Sequence, residues 1–403
     1  MTEAVQATPT DRASPLEVFL VFLRLGCTSF GGPIAHLGYF RDAFVVRRRW
    51  IDETTYADIV ALCQFLPGPA SSQVGISLGL LRAGPLGALA AWIGFTLPSA
   101  VLMTALGLGA SSLKTAPLQG AIHGLKLVAV AVVAQAVFGM ARSLTPDARR
   151  AGIAAAALLT TTLLAASFGQ IAAIAFGLLA GLVWCRDGTA PAAGDGAEPP
   201  LSRRLALGAL GAYLLLLMGA VLLASPLGGP AIAMASGFYR SGALVFGGGH
   251  VVLPLLKEAV VDPGWMSLDR FLAGYGAAQA MPGPLFTFAA YLGAGMPPPF
   301  GGVTGACMAL AAIFLPGVLA LFAALPYWHA LRRNPTAQAA MRGANAAVVG
   351  ILAAALYNPL WTSTILRPLD FAMAVVGFIL LVGFRTPPLV IVALGVAVGL
   401  LGV

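Results

Sequence analysis

Nine apolar runs, 85–110, 118–141, 150–166, 168–185, 205–225, 300–325, 337–358, 367–384 and 386–402, carry almost no charge. A helix needs about 20 such residues to cross a bilayer. Inside hydrocarbon only structures that satisfy their own backbone hydrogen bonds persist, so these runs predict packed helices. Composition agrees, because 9% of the 403 residues are charged and 59% are hydrophobic, against about a quarter charged in soluble domains. The chain is therefore read as an all-α polytopic membrane protein.

The regions 15–82 and 231–297 are different, being apolar but repeatedly interrupted by Gly and Pro, and they resemble each other. Residues 24–32 read RLGCTSFGG and residues 240–248 read RSGALVFGG. The segment from Gln64 to Pro67-Gly68-Pro69 matches that from Gln279 to Pro282-Gly283-Pro284, Pro98 tracks Pro316, and Lys126 falls opposite Asn345. Four blocks in one order at a nearly constant offset mark an internal duplication, a hallmark of secondary transporters. Five clear spans separate the start of one copy from the start of the other, and the broken region adds none or two. The count is odd either way, so the copies are expected to be inverted.

The expected organisation is a disordered tail at 1–14, a first repeat at 15–185 and a cytoplasmic linker at 186–204. An extra inverting helix at 205–230 and a second repeat at 231–403 follow. Arg82, Arg142, Arg149, Arg150, Arg186, Arg203, Arg204, Arg332, Arg333 and Arg385 fall on the cytoplasmic side of this scheme, as basic loops tend to. Lys114, Lys257, Arg270 and Arg367 fall outside. The run Arg47-Arg48-Arg49 joins the inner group if the broken segments are re-entrant hairpins, giving nine full spans. Full crossings would give thirteen.

The breaks carry the chemistry. At Phe30-Gly31-Gly32 and Phe246-Gly247-Gly248-Gly249 the helix must stop, and unwound backbone at membrane depth survives only where protein or a wet cavity satisfies it. Helix N-termini exposed at such breaks bind anions through unpaired N–H groups and the helix dipole. Arg24 and Arg240 each lie six residues before a break, and a cation retained in the membrane usually serves function. Snorkelling to the interface is the alternative. Lys126 and Asn345 occupy matched sites inside long spans. Gln64, Ser71, Ser72 and Gln279 flank the Pro-Gly-Pro turns as neutral donors, and His250 is the one histidine beside a break. Asp58 and Glu17 are the acids best placed to carry protons.

No HExxH, GxSxG or P-loop sequence occurs, nor any Cys or His spacing for a metal, so neither an enzyme nor a cofactor is expected. The net charge of +8 is topological, with no basic soluble domain to hold nucleic acid. The duplicated Phe-Gly-Gly break, the Pro-Gly-Pro turn and the later Phe-x-x-Pro resemble the chromate ion transporter family in its long two-domain form. That resemblance implies efflux of chromate, a sulfate-shaped dianion, across the bacterial inner membrane at the expense of the proton gradient. A homodimer is among the assemblies it allows. An uptake carrier for sulfate or another anion would share these features, and an anion channel fits less well.

Overall fold

The computed structural model describes residues 13–109, 116–164, 166–186, 201–222, 229–246 and 248–401. The tail 1–12, most of the linker (187–200), residues 223–228 and Gly247 lie outside the described residues. Helices make up nearly all of what is described, and no strand occurs in it.

Helix α1 (Pro15–Thr28) begins at Ser14, whose hydroxyl accepts from the Glu17 N–H at 3.1 Å. After the first glycine break α2 (Gly32–Arg41) returns, prolonged by a π-helical turn over Asp42–Arg47. Phe22 of α1 stacks on Phe44 at 5.0 Å and meets Phe40 edge-on at 5.6 Å, so the two limbs pair antiparallel about the break. Asp52 caps α3 (Glu53–Phe65) through the Thr55 N–H at 2.8 Å. The Pro-Gly-Pro turn then leads into α4 (Ala70–Gly109).

α4 is a hairpin rather than a rod. Ala83 and Gly84 leave helical conformation, and Pro85 restarts the helix at a position that suits proline. A Cβ on Gly79 would collide with the Gly87 carbonyl, although eight residues along a straight helix span about 12 Å. Residues 70–82 thus fold back on the crossing limb 85–109. α5 (Ala116–Leu144), α6 (Ala148–Leu163) and α7 (Ala166–Trp184) complete the first half, and α8 (Arg203–Leu222) follows.

The second half repeats the plan. α9 (Gly229–Ala243) and α10 (Val252–Val260) flank one break, while α11 (Leu268–Ala278) and α12 (Phe288–Ala294) flank the other. α13 (Gly302–Ala324), α14 (Trp328–Arg333), α15 (Pro335–Ala355), α16 (Thr362–Thr364), α17 (Pro368–Val382) and α18 (Pro388–Leu400) follow. Gly293 lies against the Gly305 carbonyl, so α12 folds back on α13 as 70–82 does on 85–109.

The two halves run in opposite senses. The first turn of this kind, at Ala83–Gly84, sits at the start of the crossing limb of α4. Its counterpart, 295–301, sits at the far end, where Gly107 packs on the Tyr291 carbonyl and the Ala294 methyl. Equivalent turns at opposite ends of one helix make the repeats inverted.

The basic run falls where re-entrant hairpins would put it. The guanidinium groups of Arg48 and Arg82 both lie over Trp50, 5.8 and 5.4 Å from its ring centre. The polypeptide between them therefore enters and returns at the same end.

Of the nine spans expected, five described helices are long and apolar enough to cross alone, and the last two are short. α17 and α18 have 15 and 13 residues, about 22 and 20 Å against a hydrocarbon layer of about 30 Å. They pack on α5 through Gly395 against Gly124, Gly399 against Gly120 and Gly377 against Ala131. Small residues permit that close approach, which drives helix association where no hydrophobic effect operates. The 383–387 turn consequently lies beside the middle of α5, short of its end at Leu144. Apolar composition continues across that turn, which is why it reads as part of two spans.

Candidate functional site

The tips of the broken hairpins meet near the middle of the crossing helices. Gly68, in the first Pro-Gly-Pro turn, donates its N–H to the Val245 carbonyl at 2.8 Å. Gly283, its counterpart, donates to the Ser29 carbonyl at 2.9 Å. Ser29 and Val245 are themselves repeat mates, each just before a glycine break. Each Pro-Gly-Pro turn is therefore tied to the other half's Phe-Gly-Gly segment, and the two bonds form a symmetric pair. Both turns rest on the proline-bearing centres of the crossing helices, Gly283 beside Ser99 and the Phe95 carbonyl, Gly68 beside Gly317.

Local sequence explains the geometry. Gly31 and Gly32 have φ of 101° and 78° and Gly68 has 116°, values that favour residues without a Cβ. Pro33 and Pro69 supply no N–H where new helices start. Gly249 faces Pro33, so the glycine breaks of the two halves adjoin.

Beside this crossing lies a cavity of about 250 Å³. Gly31 and Gly32 contribute the N-terminus of α2, and Gln279, Gly283 and His250 come from the second half. Gln135 projects from the middle of α5, and Arg385 and Thr386 from the turn between α17 and α18. No acid lines it. His250 Nδ1 is 2.8 Å from the Tyr275 hydroxyl, and the Gln279 amide donates to the Tyr275 carbonyl at 3.4 Å.

The other residues singled out in the sequence are distributed unevenly. Ser71 and Ser72 are buried behind the first break, Ser71 Oγ 3.4 Å from His36 Nδ1. Pro67 accepts from the Gln73 side chain, which bridges to the Gly317 carbonyl, both at 2.9 Å. Pro282, Pro284 and Gly249 are buried, Phe30 is half-buried, and Gln64 is exposed at the end of α3. Phe246 packs against the cluster formed by α6, α7 and α15. Gly248 is extended in the left-handed region, with φ of 150°.

The three membrane cations do not converge. Arg24 is exposed and has no ion pair among the described residues. Arg240 faces Glu258 at 3.9 Å, beside a void of about 10 Å³, room for no more than one water. Lys126 reaches from α5 to Asp269 at 2.6 Å and the Ser363 carbonyl at 3.1 Å, and the Asn345 side-chain oxygen is buried with no partner among the described residues. Sequence reasoning missed Gln135 and Arg385. A polar residue in the middle of an apolar span was a signal for the first; the second reads only as a loop charge.

The chromate transporter family matches this chain twice, over residues 16–184 and 232–400. A chromate transport protein of Cupriavidus metallidurans is 28% identical, over 88% of this chain and 84% of its own length. One from Pseudomonas aeruginosa is 29% identical, over 87% and 82%. An uncharacterized transporter of Methanocaldococcus jannaschii is 26% identical, over 85% and 84%. No solved structure matches the chain.

Proposed function

The chain belongs to the chromate transporter family, a family of membrane transport proteins rather than enzymes, and we propose that it exports chromate from the cytoplasm at the expense of the proton gradient. The anion sits in the cavity where the broken hairpins cross. The observation that carries this reading is the lining of that cavity, which among the described residues combines a helix N-terminus, neutral donors and a cation with no acid. A dianion leaving water loses a large hydration energy, which converging N–H groups and positive charge offset. Gly31 and Gly32 let the anion approach the backbone of α2 with no Cβ between. Gln279 and Gln135 add donors that carry no charge, and His250 is the titratable group nearest the anion.

Export requires the cavity to face each side in turn, and inverted halves joined at their breaks supply two related packings for this. Chromate flux in vesicles of defined orientation, with and without a pH gradient, tests the reading. Chromate should move against its gradient when protons are supplied, and excess sulfate should compete weakly. Sulfate flux faster than chromate flux would make this an uptake or exchange carrier for another oxyanion. Flux of neither anion would overturn the reading.

A further inference from the structure

We propose that Arg385, on the turn between α17 and α18, is the cation that balances the transported anion. The inference rests on reading the chain as an oxyanion carrier.

Four cations lie at or near membrane depth and could serve, and their surroundings separate them. Arg240 already faces Glu258, and the void beside the pair admits no anion. Lys126 is occupied by Asp269 and a backbone carbonyl on a different face of α5. Arg24 is exposed on α1, as Arg385 is on its turn, but does not line the cavity at the break crossing. Arg385 alone among them lines the cavity at the break crossing, makes no ion pair among the described residues, and has no carboxylate beside it there.

The placement follows from the shortness of α17 and α18. Their packing on α5 stops the connecting turn level with Gln135, so Arg385, although exposed, borders the cavity beside the glycine break. The turn is held by the Thr386 N–H donating to the Leu380 carbonyl at 3.0 Å and the Gly383 N–H to Ile379 at 2.7 Å. Arg385 itself has φ of 53°, a left-handed conformation uncommon for a residue with a Cβ. Pro388 opens α18, whose N-terminal end also lines the cavity. Arg385 therefore borders the same cavity as two helix N-termini, those of α2 and α18. A planar fork with several donors suits a tetrahedral oxyanion.

The test is equilibrium binding of chromate to the full chain purified in detergent, with sulfate as the competitor that cannot oxidise thiols. Arg385→Gln should weaken chromate binding about ten- to a hundredfold, the usual range for losing a charged hydrogen-bond partner. Arg385→Lys should lose less, because charge remains while the fork is gone. Arg186→Gln, an equal charge change at an exposed helix end outside the cavity, should bind as wild type does. Unchanged affinity in Arg385→Gln overturns the inference while leaving the carrier reading intact. Wild type that binds no oxyanion overturns both. Should the glutamine variant not fold, chromate protection of Arg385 against an arginine-directed reagent in the wild type decides by peptide mass spectrometry. Slowed modification of Arg385, with Arg186 unaffected, supports the assignment, and equal rates at both refute it.

Discussion

Gly32→Ala and Gly68→Ala should separate function from folding, because the two glycines share positive φ but differ in what surrounds them. At Gly32, φ is 78° and an added Cβ meets nothing within 4 Å. Alanine there costs about 1–2 kcal/mol of backbone strain, and the methyl occupies the space where an anion approaches α2. At Gly68, φ is 116° and the added Cβ falls 2.8 Å from the Gly317 backbone. Backbone cannot rotate away, so the Pro-Gly-Pro turn must move, breaking its bond to Val245. Strain of about 1–3 kcal/mol and a buried N–H left unpaired at about 1–3 kcal/mol together reach a large part of a typical stability of about 5–15 kcal/mol. Thermal melts of detergent-purified protein, with chromate flux normalised to folded protein, check both. Gly32→Ala should melt near wild type yet transport poorly, and Gly68→Ala should melt far lower or fail to purify. If Gly68→Ala melts with Gly32→Ala, the cross-repeat contact does not hold the halves together.

Cysteines replacing Arg48 and Arg82 should both be labelled from the cytoplasmic face of oriented vesicles. Labelling from opposite faces would remove the shared Trp50 site and the hairpin topology with it. Lys126→Met should change stability by about 1 kcal/mol or less, since the Lys126 side chain is 9% exposed and Asp269 70%: an apolar side chain replaces a buried charge while the carboxylate returns to water. A thermal double-mutant cycle with Asp269→Asn checks this, and a loss of chromate affinity beyond tenfold in Lys126→Met would place that lysine in the anion site.

Much of the fold was legible because its decisive residues act through the backbone. Gly31, Gly32, Gly68 and their mates interrupt apolar sequence, and proline or paired glycine there permits no continuous helix. Duplication then showed that the breaks come in matched sets, and span parity showed that the sets are inverted. Span length was not legible. Hydropathy records how apolar residues 367–402 are but not where Thr386-Pro387-Pro388 turns the chain, and the depth of that turn is set by Gly377, Gly395 and Gly399 packing on α5. The fold-back of 70–82 on 85–109 was hidden for a similar reason, since Gly79 and Gly87 make a hairpin only by touching each other.

The cations show most sharply what spacing cannot convey. Arg24 and Arg240 have the same position relative to their breaks, and the acids Asp42 and Glu258 are also repeat mates. In the second half Glu258 turns toward Arg240, whereas in the first Asp42 pairs with Arg47 at 2.8 Å. The acid in the first half thus pairs with Arg47, which has no mate in the second half, and Arg24 is exposed. Equal sequence positions therefore acquired unequal fields. A charge serves an anion only where no carboxylate has already claimed it and a cavity can admit the ligand. Both conditions depend on residues far away in sequence. Arg385 meets them because α5, the first glycine break and the α17–α18 turn converge. Those three segments share no motif or periodicity that would announce their meeting.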